Sequence, residues 1–336
     1  MSRIKRAVSL YSYQDEYATK RMSLEDILRD LADMGAEGVE ILSDQMIHGS
    51  PHPTEETISN WKSLVKKYNL YPVSDDIFVN STLYHNRRLT LKEQEELLKD
   101  ELINAHNLGF TLVRLVSNTD AALIEPCLPL AEKLNVTMAL EIHAGMSFSG
   151  ALTQEYLKVM KKLHTKYVGI VLDMGIFCSR YPRISRKYFS QFGLNQELAD
   201  FVDGIFNQGS DPRTYISSRN GGEFDVPPEV QKMIKAPIDR EFWIMASGYE
   251  NTPFSVVDEY IPYVKSIHGK LYEMTDAGEE YSIPYKKVIE YLDSKNWEGY
   301  IATEYEGNRF VLPNEPVDGA GNVRRHQAML KKYTGR

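Results

Sequence analysis

The sequence predicts an α/β fold, a (β/α)8 TIM barrel with a long insertion after strand 6. Short apolar runs, many with β-branched residues, alternate with helical patterns along most of the chain, as parallel strands and their crossover helices do. Over the first six units the strands begin about every 30 residues, the size of one βα unit. Eight strands close such a barrel, and the eight candidates are residues 7–11, 38–42, 70–74, 111–117, 137–143, 169–173, 264–271 and 299–304.

Helix-start signals lie between the first strands. Ser23 and Thr90 precede stretches with leucine and isoleucine at helical spacing, and each is followed three residues later by an acid, Asp26 or Glu93. In this capping-box spacing the two side chains satisfy each other's backbone N–H groups. The connections between strands are therefore predicted to be helices that cover the outside of the barrel.

The chain length fits one domain with additions. A prior of about 150 residues per domain would divide 336 residues in two, but eight βα units account for about 250 of them. We predict a single domain over residues 1–336, with the surplus in an insertion over 175–251 and a C-terminal tail over 311–336. Because the insertion follows strand 6, it lies at the end of the barrel where active sites form, and we interpret it as a lid or binding loop. A surface decoration is the alternative.

Composition excludes several classes of protein. Hydrophobic residues make up 42% of the chain, too many for a disordered or fibrous protein. The net charge of -8 gives no general attraction to nucleic acid or anionic membranes. The sequence has no signal peptide, no membrane-length apolar run, no nucleotide-binding glycine motif and no GxSxG elbow, and Cys127 and Cys178 cannot form a disulfide framework. We expect a cytoplasmic protein without nucleic-acid or membrane partners.

Four polar residues follow neighbouring apolar strands. Glu141, Asp173, His268 and Glu304 come at or near the ends of strands 5 to 8, where catalytic side chains of a barrel converge. Three carboxylates in an apolar interior repel one another and need pairing or a metal. One divalent cation would resolve this, and the donor set suits manganese, magnesium, zinc, cobalt or iron without choosing sharply. The alternative is a set of separate salt-bridged residues.

Two basic side chains accompany these candidates. His143 lies two residues after Glu141 and Lys270 two residues after His268, so strand alternation places each pair on one face. We interpret His143 as a general base or acid, with a fifth ligand or a wall residue as the alternative. Lys270 is a candidate contact to a substrate oxygen, or else part of a structural ion pair.

Other residues are weaker candidates. Arg114 lies inside strand 4 and requires a carboxylate partner if it faces inward. Candidates near other strand ends are His48, His52, Asp75, Asp76, Glu306 and the aromatic residues Tyr11, Tyr13, Tyr181, Tyr188 and Tyr305. The remaining histidines, interpreted as structural or surface residues, are His85, His106, His164 and His326.

The polar residues at the ends of strands 5 to 8 resemble the metal site of the xylose isomerase-like barrels. That superfamily includes sugar isomerases, ketose 3-epimerases, inosose dehydratases and endonuclease IV. This chain has Ile176 where endonuclease IV and most ketose epimerases have a histidine, three residues after the aspartate. With His143 and the insertion, the segments EIHAG, VLDMG, SIHGKLYEM and TEYEG resemble the catalytic α subunit of bacterial C-glycoside deglycosidases, over the whole chain.

The resemblance implies a carbon–carbon lyase. In that family the substrate is a 3-keto C-glycoside, and the α subunit acts in a hetero-oligomer with a small β-rich β subunit. The four polar residues would bind one divalent cation, with Mn²⁺ as the first expectation, and His143 would remove the proton on C2. The aglycone, a flavonoid or similar polyphenol, would then leave by β-elimination together with an unsaturated 3-keto sugar.

Two other functions stay open on the sequence. A sugar or inosose isomerase, epimerase or dehydratase would share the enolate step. A barrel that only binds sugars or polyphenols would need no metal and no base. Metal content, a co-purifying small partner and release of free aglycone would separate the three.

Overall fold

The computed structural model describes residues 2–215, 219–220, 223–224, 226–312 and 314–336. Within them, eight parallel strands form a closed barrel, so the predicted fold is confirmed. The barrel strands are β1 (Ile4–Ser9), β2 (Gly38–Ile41), β3 (Tyr71–Ile77), β4 (Leu112–Leu115), β5 (Thr137–Ile142), β6 (Val168–Asp173), β7 (Val264–Leu271) and β8 (Gly299–Tyr305). Each strand pairs with the next in the chain, and β8 closes the barrel on β1.

Helices join the strands and cover the barrel. They are α1 (Gln14–Ala18), α2 (Leu24–Asp33), α3 (Ser43–Met46), α4 (Glu55–Lys67), α5 (Leu91–Leu108), α6 (Ile124–Leu134), α7 (Ala151–Leu163), α8 (Arg183–Ser190), α9 (Gln196–Asn207), α10 (Pro228–Met233), α11 (Pro237–Ala246), α12 (Phe254–Val257), α13 (Tyr285–Ser294) and α14 (Gly319–Thr334). Short 3-10 helices occupy Leu10–Tyr13, Ala121–Leu123, Met174–Ile176, Pro212–Tyr215, Ile261–Tyr263 and Gly307–Phe310.

The predicted capping boxes are present. The Ser23 hydroxyl accepts the N–H of Asp26, and the Asp26 carboxylate accepts the N–H of Ser23. Thr90 and Glu93 form the same reciprocal pair at the start of α5. Both helices therefore begin at the residue that the sequence indicates, because a local side chain satisfies N–H groups that have no partner within the helix.

The fourth strand ends at Leu115 rather than at residue 117, and two other strands differ more from their predicted bounds. Residues 7–11 were expected to form the first strand, but β1 begins at Ile4 and the chain turns into a 3-10 helix at Leu10. The charge of Arg6 argues against a buried strand in the sequence. In the structure its guanidinium is nevertheless buried, and it donates to Gln327 Oε1 at 2.8 Å. Asp75 and Asp76 lie inside β3 rather than after it, because each buried carboxylate has a tertiary partner that the local sequence does not reveal.

The connection from β6 to β7 forms a helical layer beside the barrel. It contains α8 to α12, and its apolar side is built from aromatic rings such as Tyr181, which contacts Phe242 edge-on at 5.3 Å between centroids. An antiparallel bridge between Phe177 and Asn251 joins the two ends of the segment predicted as the insertion. Residues 216–218, 221–222 and 225 of this segment lie outside the described part of the chain. Its role as a lid stays a prediction.

The C-terminal tail packs on the barrel through α14. Val323, Met329 and Leu330 of this helix are buried, and the Gln327 amide donates to the backbone oxygen of Ala7 in β1. Residue 313 of the predicted tail lies outside the described residues. Among those that are described, no helix combines the length and apolar character that crossing a membrane requires.

Candidate active site

The four predicted ligand residues come together at one end of the barrel. Strand register places Asp173 of β6 directly opposite His268 of β7, while Glu141 and Glu304 project from β5 and β8 on either side. One oxygen or nitrogen atom from each of the four side chains lies within 4.8 Å of the others, and all four residues are buried. The fold thus gathers three carboxylates and one imidazole from four neighbouring strands.

His268 is the centre of this cluster. Its Nδ1 lies 2.8 Å from Glu141 Oε1 and 3.3 Å from Glu304 Oε2. On the other side of the ring, Nε2 lies 3.1 Å from Glu40 Oε2, and that same carboxylate oxygen accepts the Ser74 hydroxyl. Burial by itself lowers the pKa of His268, but the surrounding carboxylates outweigh it and hold the pKa well above its usual value.

Lys270 places an ammonium group among the carboxylates. Its Nζ lies 2.8 Å from Asp173 Oδ2, 2.5 Å from Glu304 Oε2 and 3.1 Å from Glu306 Oε1. Burial lowers its pKa, yet the facing carboxylates raise it well above the ordinary lysine value. Burial raises the pKa of Asp173 to about 7, although Lys270 opposes this. The ammonium thus balances part of the charge that a metal would neutralise.

Arg114 faces inward, and the carboxylate partner that this orientation requires is present. Its guanidinium lies 2.8 Å from Asp76 Oδ2 and 3.8 Å from Glu141 Oε2. Burial raises the pKa of Glu141, but Arg114 and His268 together hold it well below its usual range. Glu141 therefore stays ionised inside the barrel, as a metal ligand must be.

The donor set fits one divalent cation. Carboxylate oxygens with a single imidazole suit several first-row metals and magnesium, and the Asp173 Oδ1 atom is oriented by the N–H of Gly175 at 2.6 Å. Glu40, Asp76 and His268 also lie within 4.8 Å of one another. There Asp76 pairs with Arg114, as Asp173 and Glu304 pair with Lys270 in the four-residue cluster.

His143 lies just beyond the end of β5 and opens onto the same cavity as Glu141. Its Nδ1 lies 2.6 Å from the backbone oxygen of Ala144. A carbonyl only accepts, so Nδ1 carries the hydrogen and the lone pair of the neutral ring is on Nε2. The cavity has a volume of about 320 Å³, and its remaining walls are Tyr11, Arg114, Ala144, Met245, Gly248, Tyr249, Lys270, Tyr272, Glu304, Glu306 and Arg309.

Several weaker candidates lie elsewhere. His48 and His52 are not part of the cavity wall, and His52 Nε2 lies 3.5 Å from Asp100 at the surface. Tyr13 donates to Asp30 Oδ2 at 2.6 Å, away from the cavity. The Tyr181 ring packs within the helical layer. Of the predicted tyrosine walls, Tyr11 contributes to the cavity.

The sequence prediction missed residues on both sides of the cluster. Glu40 contacts His268 although 228 positions separate them in the chain, and it lies inside a short strand candidate with no motif of its own. Arg309 follows β8 and donates to Glu306 Oε1 at 2.7 Å. Met245 and Tyr249 reach the cavity from the β6–β7 connection. The position of that connection after a barrel strand was the one available signal for the last two.

Comparison with known proteins agrees with the fold and the motifs. The family description "Xylose isomerase-like TIM barrel" matches residues 28–189. A relative from Microbacterium sp, named 3'-dehydrocarminate deglycosidase alpha subunit, is 26% identical over 93% of this chain and 90% of its own length. A C-glycoside deglycosidase alpha subunit from Arthrobacter globiformis is 24% identical over 96% of this chain and 90% of its own.

Solved structures share the barrel at low identity. A sugar phosphate isomerase/epimerase from Parabacteroides distasonis superposes with a TM-score of 0.57 and 12% identity, over 98% of this chain and 94% of that one. An L-ribulose 3-epimerase gives 0.56 and 12%, over 100% and 95%. The chain is therefore similar to the xylose isomerase-like TIM barrels over residues 28–189, and its predicted resemblance to the α subunits of C-glycoside deglycosidases is confirmed.

Proposed function

We propose that this chain is the catalytic subunit of a C-glycoside deglycosidase, a carbon–carbon lyase that acts on 3-keto C-glycosides. Relatives named as deglycosidase alpha subunits align with more than nine-tenths of the chain. The observation that carries the proposal is the position of His143 on the same cavity as Glu141 and Glu304, two of the four clustered ligand candidates. A proton acceptor beside a cation site is what elimination next to a ketone requires.

The chemistry explains why a keto group is needed. A bond between the anomeric carbon and an aromatic carbon resists hydrolysis because carbon is a poor leaving group. A ketone at C3 makes the proton on C2 acidic, since the resulting negative charge spreads onto the ketone oxygen. Loss of that proton prepares the neighbouring C1 for elimination.

Glu141, Asp173, His268 and Glu304 would hold the metal, for which Mn²⁺ is our first choice. When bound, a divalent cation supplies Lewis-acid stabilisation of the negative charge that develops on a carbonyl oxygen. The Lys270 ammonium contacts Asp173 and Glu304 in the present structure. Lys270 also contacts Glu306, so it would keep that partner if a metal engaged Asp173 and Glu304, and its ammonium would be able to donate to a substrate oxygen.

His143 removes the C2 proton in this proposal. The lone pair on Nε2 accepts the proton while Nδ1 stays bonded to the Ala144 carbonyl. The electrons of the broken C–H bond then form the C1–C2 double bond, and the C1–aryl bond breaks. The aryl carbon takes up a proton, so the products are a free polyphenol and an unsaturated 3-keto sugar.

The aromatic side of the cavity suits the aglycone. Tyr11, Tyr249 and Tyr272 line it, and flat rings offer stacking surface to a flavonoid or similar polyphenol. Arg309 lies at the same side and bonds both Glu306 and the Tyr11 hydroxyl. We infer that this side binds the aglycone while the carboxylate side binds the sugar.

The proposed enzyme includes a second polypeptide, which acts as a partner subunit. The relatives are named alpha subunits, which supports a small β subunit as the partner in a hetero-oligomer. Co-expression with a candidate β subunit, followed by size-exclusion chromatography, tests this. A chain that elutes alone and still cleaves the substrate would contradict the need for a partner.

The decisive assay uses the chain, its partner and Mn²⁺ with a 3-keto C-glycoside, and measures free aglycone by liquid chromatography. We expect aglycone release that a chelator abolishes and that His143→Ala lowers by about 10²- to 10⁴-fold while metal binding persists. A His143→Ala variant with normal turnover would exclude histidine as the base.

A sugar or inosose isomerase, epimerase or dehydratase is the second candidate. It is favoured by the solved relatives that carry isomerase or epimerase names. The same assay mixture separates the two, because an epimerised ketose without aglycone would replace the lyase by this alternative. Sugar binding without metal uptake would instead indicate a barrel that only binds its ligand.

A further inference from the structure

The loop after β5 is held by a buried carboxylate from the β6–β7 connection. Glu250 is fully buried, and its Oε2 accepts the backbone N–H of Gly145 at 2.9 Å and of Ser147 at 3.3 Å. Its Oε1 accepts the Thr252 hydroxyl at 3.2 Å and pairs with the Arg213 guanidinium. One side chain therefore joins the far end of the connection to the loop that carries His143.

That loop has a backbone which requires support. Gly145 has a φ of +89° and Ser147 a φ of +63°, both in the left-handed region that a serine adopts at a cost. A Cβ on Gly145 would lie 3.3 Å from the Gly248 oxygen, so the loop also packs closely on the connection. The N–H of Met146 donates to the His143 oxygen at 3.1 Å, which closes a turn directly on the histidine.

Glu250 itself is fixed by further contacts. Arg213 binds Asp211 through two bonds, at 3.1 Å from Nε and 3.0 Å from Nη2. Asp211 Oδ2 in turn accepts the N–H of Asn251 at 3.1 Å. Burial raises the pKa of Glu250, and Arg213 opposes this shift. Glu250, Arg213 and Asp211 therefore form one network, which also includes the backbone N–H of Asn251.

We propose that Glu250 is a positioning residue, which holds the His143 loop in the turn that directs the histidine into the cavity. This role rests on the proposed function, since it matters for catalysis only if His143 is the base. It gives the β6–β7 connection a task besides the lid or binding-loop role that the sequence predicts. A shift of about 1 Å in a catalytic group can cost on the order of 10²-fold in rate.

Two substitutions separate this role from a structural ion pair. Glu250→Gln keeps an oxygen for the two loop N–H groups but loses the charge that pairs with Arg213. Glu250→Asp keeps the charge but withdraws it by one methylene from the loop. Positioning through hydrogen bonds predicts that Gln preserves the loop better than Asp, whereas an ion-pair role predicts the reverse.

Hydrogen–deuterium exchange on the full chain with its partner measures the loop without any substrate. We expect amides 145–149 to exchange at least about tenfold faster in Glu250→Asp than in wild type or Glu250→Gln. Asp239 supplies the matched control, because it is equally buried and accepts the N–H groups of Asn195, Lys235 and Ala236 within the connection. Asp239→Asn should leave the exchange of amides 145–149 unchanged.

Turnover gives the second readout. Glu250→Asp should lower kcat by about 10- to 100-fold with KM and Mn²⁺ affinity within about threefold of wild type, while Glu250→Gln stays near wild type. Equal exchange in all variants, or an Asp variant better protected than Gln, would overturn the positioning role. Absence of aglycone release by the wild type would refute the proposed function alone, since the exchange result does not depend on it.

Discussion

Two buried histidines of this barrel have opposite environments. His268 and His326 are both fully buried, yet His268 is surrounded by Glu40, Glu141 and Glu304, whereas the Nδ1 of His326 faces the hydroxyl of Thr303 at 2.7 Å. Burial lowers the pKa of His326 to about 3. The same burial at His268 is outweighed by negative charge, and its pKa is raised.

The difference shows that the charge around a buried histidine, rather than its burial, distinguishes a candidate metal ligand from a packing residue in this fold. His326 of α14 stands edge-on to the Tyr285 ring, with 4.7 Å between centroids, and it joins Thr303 and Gln327 in a neutral network that fastens the helix to β8. His268 sits where carboxylates exceed the protein's own cations. One site holds a neutral histidine among neutral groups, and the other has the charge to take up a metal ion.

The largest effect is expected from His268→Gln. Removing the imidazole takes a ligand from the cluster and leaves Glu40 and Glu141 without their partner. We expect loss of stoichiometric Mn²⁺ and a fall in kcat/KM of about 10³-fold or more, equivalent to about 4 kcal/mol. Metal analysis after gel filtration and aglycone release measure it. His326→Asn is the control, and equal metal loss in both variants would remove the contrast between the two histidines.

Lys270→Met should lower the stability of the metal-free protein by about 3 kcal/mol. The substitution removes the ammonium that faces Asp173, Glu304 and Glu306, and a buried carboxylate without its partner is strongly destabilising. Urea unfolding with chelator and with Mn²⁺ measures the change. We expect added metal to recover most of the loss, because the cation then supplies the missing charge. An unchanged unfolding midpoint without metal would show that Lys270 does not balance the cluster.

Glu40→Gln should weaken metal binding by about tenfold. Glu40 contacts His268 Nε2, the ring nitrogen on the side away from Glu141 and Glu304. A carboxylate in this position orients the imidazole and raises its basicity. Mn²⁺ titration calorimetry gives the affinity. Glu16→Gln is the control, since Glu16 is also buried but bonds the N–H of Gly319. Wild-type affinity in Glu40→Gln would show that this contact does not tune the ligand.

The smallest effect concerns the pH dependence of stability through His326. Its pKa is lower in the folded state than in the unfolded state, so the unfolded chain binds more protons between pH 6.5 and about 3. The free energy of unfolding should therefore decrease as the pH is lowered. Between pH 7.5 and 5.5 we expect a decrease of about 1 kcal/mol. In His326→Asn the same pH step should cost correspondingly less. Identical pH dependence in both proteins, measured by urea unfolding, would contradict a neutral buried His326.

The sequence predicted the barrel and the four ligand candidates because both depend on local patterns. Glu141 and Asp173 follow apolar strands, so their place at the barrel mouth can be inferred from strand ends alone. Glu40 could not be found in this way, since its importance comes from contact with a histidine on a strand across the barrel. Glu250 was missed for a similar reason, because its partners are backbone N–H groups of a distant loop.

Strand β1 shows the same limit in the fold itself. The start of this strand was not predicted because it contains the charged Arg6. The Arg6 side chain bonds the turn after α2 and a residue of α14. A residue that is buried through long-range hydrogen bonds looks exposed to any local pattern. Strands β5 and β6, which are mainly apolar up to the acid near their ends, were predicted within a residue of their observed bounds.

The adjacency of β6 and β7 has a consequence for how this barrel could change over time. Residues 174–263 separate two strands that pair directly, but the chain entropy lost on closing a loop grows only logarithmically with length. Each doubling costs about 0.6 kcal/mol, so a connection several times longer than an ordinary crossover costs the fold on the order of 1 kcal/mol. New helices can therefore be gained or exchanged at this point while Asp173 and His268 stay side by side, which makes the connection the natural place for relatives to diverge.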